Sequence, residues 1–126
     1  MTTLNKIKLE FPIKASPKII YSYLSTPAGL NDWFAEKVTT RDNIYTFHWG
    51  EEETRAKISH KRENQMVRFN WLDDEDHPYF EIEIITDEIT GEVALLVTDF
   101  SAPEDVDEMR MLWEQQIHDL KSIIGA

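Results

Sequence analysis

The chain has no cysteine, which excludes a disulfide framework and a thiol nucleophile and fits a reducing compartment. It has no apolar run of about 18 residues, the length a helix needs to span a bilayer. Its first residues, Met1 to Lys8, mix polar and charged groups with isolated apolar ones, so the continuous apolar stretch of a signal peptide is missing. The expected location is therefore cytoplasmic. Basic residues are outnumbered, 13 Lys and Arg against 24 Asp and Glu, for a formal net charge of -11. A surface of that sign repels nucleic-acid phosphates and anionic lipid heads, so neither nucleic acid nor an inserted membrane is an expected partner. Internal repeats, low-complexity tracts and linkers are absent as well. A length of 126 residues with 41% hydrophobic content suits one domain, 1–126, whose core needs no disulfide or metal.

Chemistry-bearing motifs are scarce in the same way. His48, His60, His77 and His118 share no ligand spacing. The acidic stretch Asp73-Asp74-Glu75-Asp76-His77 lacks the glycine of a calcium loop and falls between two strand patterns, so it reads as a solvated hairpin tip. Neither a Ser-His-Asp order nor a glycine-rich phosphate loop occurs. Glu81 and Glu83 alternate with Ile82 and are expected outside. These patterns assign no catalytic residue, no metal ligand and no cofactor.

What is present is strong patterning. From Ser101 to Ile124, Val106, Met109, Leu112, Trp113, Gln116, Ile117, Leu120, Ile123 and Ile124 recur at spacings of three and four, which predicts a long helix with one wide inward face. Ser101 with Glu104 predicts a capping box at its start, Pro103 suits a first turn, and Glu104, Asp105, Asp107 and Glu108 put negative charge at the positive end of the dipole. Ahead of it, Leu4 to Ile13 alternates as a half-buried strand. Ser16-Pro17 opens a short helix to Leu24, and Thr26-Pro27 opens a second that ends near Trp33. Further strands are predicted at 36–40, 44–49, 54–61, 66–72, 79–86 and 92–100, joined by tight turns. The last, apolar on both faces at Val93 to Val97, is expected to be central in the sheet. Hairpin-length connections imply antiparallel pairing. The predicted class is α+β: a curved antiparallel sheet of about seven strands wrapped around the C-terminal helix, with two short helices after the first strand.

This order of elements, with Phe11-Pro12-Ile13-Lys14-Ala15-Ser16-Pro17 leading into the first helix and Thr26-Pro27-Ala28-Gly29-Leu30-Asn31-Asp32-Trp33-Phe34 following it, resembles the START-like, helix-grip superfamily. Within it, the chain is similar to the branch of activators of the heat-shock-protein ATPase. The resemblance implies a seven-stranded sheet gripping the C-terminal helix, often with an apolar cavity between them. It implies no single chemistry, because related folds serve as transporters, enzymes and interaction modules.

The candidate cavity residues are Trp33, Phe47, Trp49, Phe69, Trp71, Phe80, Ile82, Phe100, Met109, Trp113, Gln116 and Ile117, with Leu96 and Leu112 expected on the same side. Large aromatic rings also suit a filled core, and Trp33 with Phe34 suits an anchor of the short helices. The first expectation is a non-catalytic module that binds a small hydrophobic or amphipathic ligand between sheet and helix. A protein-interaction module, suggested by the resemblance, is the second. A cyclase-type or hydratase-type enzyme is the third, and it requires a titratable residue buried inside the grip.

Overall fold

A computed structural model describes residues 3–126. Strand β1 (Asn5–Pro12) leaves Ile7, Leu9 and Phe11 half-buried and Lys6, Lys8 and Glu10 exposed, as its period-two pattern dictates. Helix α1 (Pro17–Ser25) starts where the Ser16 hydroxyl accepts from the Ile19 N–H at 3.3 Å, and it buries Ile20 and Leu24. Thr26 ends α1 and caps α2 (Pro27–Trp33), accepting from the Gly29 N–H at 3.0 Å. Gly29 is required by the crossing of the two helices. A Cβ there would meet the Ser22 carbonyl oxygen at 2.4 Å and the Tyr23 Cα at 2.6 Å.

The rest of the sheet is a meander of β2 (Lys37–Arg41), β3 (Ile44–Trp49), β4 (Glu52–Arg62), β5 (Met66–Trp71), β6 (Tyr79–Thr86) and β7 (Val93–Ser101). Asp42 and Asn43, both left-handed at φ 53 and 67, form the two-residue turn between β2 and β3 that matches strand twist. The seven strands are ordered β1-β7-β6-β5-β4-β3-β2, and every neighbouring pair is antiparallel. β5 occupies the centre. β7 lies inside the sheet but one place from the edge, where β1 pairs with it from Asn5↔Ser101 to Pro12↔Ala94.

Helix α3 (Val106–Ile124) crosses the inner face. Its start differs from the expected capping box: Ser101 is still in β7, its hydroxyl donates to the Ala102 carbonyl at 2.8 Å, and Pro103–Asp105 forms a 3-10 turn before the helix. β7 keeps pairing with β1 as far as Ser101, so the backbone there is extended and unavailable for a cap. The buried stripe is also narrower than predicted. Trp113, Ile117 and Leu120 are buried, Met109, Gln116 and Ile124 are partly covered, and Leu112 and Ile123 are exposed. At roughly 1.5–3 kcal/mol per fully buried large apolar side chain, those three residues hold the helix down. Among the described residues, no helix is long and apolar enough to cross a membrane.

Candidate functional site

The inner faces of β3 to β6 carry Phe47, Phe69, Phe80 and Ile82, each almost fully buried. Register places them side by side: Phe69 is directly opposite Phe80, and Val67 opposite Ile82. Into the space between these strands and α3 enters Phe34, the residue that ends α2. Its ring lies 5.0 Å from Phe47, 5.6 Å from Trp49, 5.1 Å from Phe80 and 6.1 Å from Trp113, centroid to centroid. Trp33 adds an edge contact at 5.3 Å, and its indole N–H donates to the Tyr23 carbonyl at 2.8 Å. The Phe34 carbonyl accepts from Trp49 Nε1 at 3.1 Å and from Gln116 Nε2 at 3.2 Å, so the helix end is hydrogen-bonded on both sides of the grip. The middle of the expected cavity is thus occupied by a ring of this chain.

One end of the grip is built differently. Trp71, on β5, packs its ring 5.2 Å from Phe80, 5.9 Å from Phe47 and 5.8 Å from the His77 imidazole. Asp99, on β7 and directly opposite Ile7 of β1, faces the same interior and is 5% exposed. Three N–H donors converge on its carboxylate. Oδ1 accepts from the Phe100 backbone N–H at 2.8 Å and from His77 Nε2, and Oδ2 accepts from Trp113 Nε1 at 2.8 Å. A carboxylate only accepts, so the hydrogen of that imidazole pair resides on Nε2. The network ties α3 and the β5–β6 loop to β7. Beside it, the Trp71 indole N–H is buried and has no acceptor among the described residues.

The predicted residues therefore separate into three sets. Phe47, Trp49, Phe69, Trp71, Phe80 and Trp113 join one aromatic network through Phe34; Trp33, Ile82, Met109, Gln116 and Ile117 border it from the helices and β6. Phe100 is elsewhere. It and Leu96 lie on the outer face, where the Phe100 ring meets Tyr79 edge-on at 4.9 Å and the Arg68 guanidinium stacks over Tyr79 at 4.1 Å. The Ile82↔Val97 pairing fixes this, because it puts Leu95, Val97 and Asp99 inside, and even-numbered neighbours then face out. His77 is the other correction. It does not sit at a solvated hairpin tip but folds back onto Asp99, while the start of the loop is held by Asp73, which accepts from Arg55 Nη2 at 2.8 Å and from the Arg55 backbone N–H at 3.0 Å. That carboxyl is held below its ordinary range by the Arg55 side chain first and its backbone N–H second.

Two surface grooves lie away from this region. One of about 600 Å³ runs between β1 and the β6–β7 turn, bordered by Glu10, Lys14, Asp87 and Glu92. Another of about 760 Å³ lies beside β4 to β6, bordered by His60, Arg62, Arg68 and Glu83. Neither is lined by α3. On the inner face near α1, the Tyr45 hydroxyl donates to the Ser25 carbonyl at 3.1 Å, and burial, then Tyr21, pushes its ionisation upward. Among the described residues, no group of three or more His, Asp or Glu side chains is arranged for a metal ion.

Phe34, His77 and Asp99 were not among the predicted site residues. A signal for Asp99 existed: Leu95 and Val97 share its parity, and a buried Trp113 requires an acceptor for its N–H.

Comparison with known proteins places this geometry. The family model described as a START-like superfamily domain matches residues 1–126. A Bacteroides fragilis protein solved by solution NMR is 42% identical, with 98% of this chain and 93% of that chain covered at a TM-score of 0.69. The Aha1 dimer of Colwellia psychrerythraea is 20% identical, with 94% and 92% covered at a TM-score of 0.72. A Mesorhizobium loti protein solved by X-ray crystallography shares the fold at 12% identity and a TM-score of 0.77, with 96% and 97% covered. Among curated protein sequences, none matches.

Proposed function

The chain belongs to the START-like superfamily, and from that premise we propose that it is a binding module for a small, neutral, amphipathic molecule, taken at the Trp71–Trp113 end of the grip. The supporting observation is the Trp71 indole N–H, buried against aromatic rings without an acceptor. Leaving a buried donor unmet costs about 1–3 kcal/mol, so a molecule bringing a carbonyl or hydroxyl oxygen to that point recovers binding energy. The surrounding rings favour a flat apolar body. The net charge of -11, with Asp73 to Asp76 in the adjoining loop, disfavours an anionic head group. Ring packing around Phe34 argues against a ligand in the middle of the grip.

A protein partner is the second reading, and its support is on the other side of α3. Met111 and Leu112 are 68% and 61% exposed there. Large apolar side chains left in solvent on a helix suit contact with another chain.

Titration with Nile red, a neutral ring system carrying a carbonyl, separates the two. We expect saturable, blue-shifted emission from the folded protein and about five-fold weaker binding in Trp71→Phe, the equivalent of ~1 kcal/mol for one hydrogen bond. Leu112→Ser should leave that affinity unchanged. A non-saturating signal, or one that Leu112→Ser abolishes and Trp71→Phe does not, would shift the assignment to the protein-partner reading.

A further inference from the structure

We infer that the free edge of β1 is a self-association surface, on which two copies of the chain pair antiparallel about a two-fold axis at Leu9 and join their sheets into one. β1 and β2 are the two edges of the sheet, and they are finished differently. β2 is five residues long, and α2 caps its outer side: the Val38 N–H donates to Asn31 Oδ1 at 2.9 Å. β1 is eight residues long. The Ile13 N–H donates to the Val93 carbonyl at 3.0 Å, which sets the parity of the β1–β7 ladder. The backbone groups of Ile7, Leu9 and Phe11 therefore turn to β7, and those of Lys6, Lys8 and Glu10 turn outward. Among the described residues, no other segment hydrogen-bonds to those outward groups. A long edge of unpaired donors and acceptors is a template for another strand. The side chains are equally incomplete. Ile7, Leu9 and Phe11 are only half-buried, while their inner-face neighbours Leu95 and Val97 on β7 are fully buried.

The order of charges along β1 selects the occupant. A two-fold interface uses one patch twice, and in an antiparallel pair outward backbone groups must meet outward ones, so even-numbered residues oppose even-numbered residues. Centring on Leu9 sets Lys8 opposite Glu10 at both crossings, Ile7 opposite Phe11, Leu9 opposite its own copy and Lys6 opposite Pro12. The Lys8 and Glu10 side chains then pair on the outer face, and the apolar ones meet on the inner face that α3 crosses. Lys6 gives its N–H to the Pro12 carbonyl, and Pro12, having no N–H of its own, ends the ladder without an unmet donor. Neighbouring registers are disfavoured: centring on Lys8 opposes two lysines, and centring on Glu10 opposes two glutamates. β2 lacks such symmetry, because pairing it about Thr39 sets Lys37 against Arg41. Edge lysines deter foreign strands, and Glu10 lifts that penalty for a second β1. The net charge of -11 on each copy opposes association, but repulsion beyond roughly 10 Å is screened at about 0.1 M salt.

The test is sedimentation velocity of the full chain across a micromolar to millimolar concentration series. We expect a reversible monomer–dimer equilibrium. Lys8→Glu and Glu10→Lys each place like charges at both crossings and should weaken the dimer about ten-fold, and combining the two substitutions should restore it. Both side chains are exposed, so the monomer fold, read by circular dichroism and thermal melting, should be unchanged. Hydrogen exchange reads the register. The amides of Lys6, Lys8 and Glu10 should slow as the dimer fills, whereas those of Ile7, Leu9 and Phe11, bonded to β7, should already be slow in the monomer. A monomer at every concentration would overturn the assignment. So would a dimer whose single charge variants keep the parental affinity, or one that the combined variant fails to restore. Loss of the dimer in Leu112→Ser would overturn it as well and place the contact on the exposed side of α3.

Discussion

The middle of the grip and its Trp71–Trp113 end are made from the same kind of residue and behave as opposites. In the middle, Phe34 meets Phe47, Trp49, Phe80 and Trp113 at ring distances that leave its side chain 5% exposed, and the polar atoms nearby are satisfied by the Phe34 carbonyl. At the end, rings of similar size surround a carboxylate, an imidazole and two indole N–H groups, one of them unmet. Aromatic density alone therefore does not distinguish core from site. What distinguishes them is whether the hydrogen-bonding capacity inside the packing is used up.

The largest expected effect breaks the middle. Phe34→Ala should lower stability by about 3–5 kcal/mol in chemical denaturation, because its contacts are lost and a void remains. A loss below about 1.5 kcal/mol would mean that the rings around it collapse easily and that the middle is not a filled core. Trp113→Phe addresses the end. It keeps the ring and removes one donor from the buried Asp99, so we expect a loss of about 1–3 kcal/mol, measured in the same way. Trp71→Phe removes a donor that has no partner, and stability should stay within about 0.5 kcal/mol of the parent or rise slightly. If Trp71→Phe were as damaging as Trp113→Phe, the indole N–H would be meeting an acceptor of the protein in solution, and the contrast between the two indoles would vanish.

The smallest effect concerns the far anchor of the loop that delivers His77. Asp73 has a carboxyl held below its ordinary value of 3.8 by Arg55. A carboxyl with a depressed folded-state value contributes stability that is present above the unfolded value and is lost as pH falls through the folded one. The stability gap between the parent and Asp73→Asn should therefore be small and constant near neutrality, then shrink as pH falls below about 3.8. A gap that instead widened in acid would show that Asp73 acts on the loop by some route other than its pairing with Arg55.

Legibility varied with how local each decision was. Ser16-Pro17 and Thr26-Pro27 announced two helices because caps are set by two or three adjacent residues, and both caps form. Tyr79 to Thr86 was readable to the residue, since its alternation has a clear apolar side. β7 was not, because Val93 to Val97 is apolar at successive positions and the pattern carries no parity; pairing with β1 and β6 chose which side faces in, and that choice put Asp99 inside and Phe100 out. The helix stripe was overestimated for a related reason. Leu112 and Ile123 fit the spacing, but burial depends on what lies over them, and nothing covers them in this fold. His77 belonged to a charged loop whose composition resembles a solvated tip, and its bond to Asp99 joins positions 22 apart in the chain.

By itself, then, the sequence determined the α+β order of elements, two capped short helices, seven strands and a terminal helix with an apolar side, all of which depend on residues within a few positions of one another. The tertiary structure alone decided that Phe34 fills the grip, that Asp99 is buried with His77 and Trp113 on it, and that the Trp71 N–H is left without a partner. Those outcomes depend on strand register and on how closely the helices seat on the sheet, and both come from contacts between distant segments that no local pattern encodes.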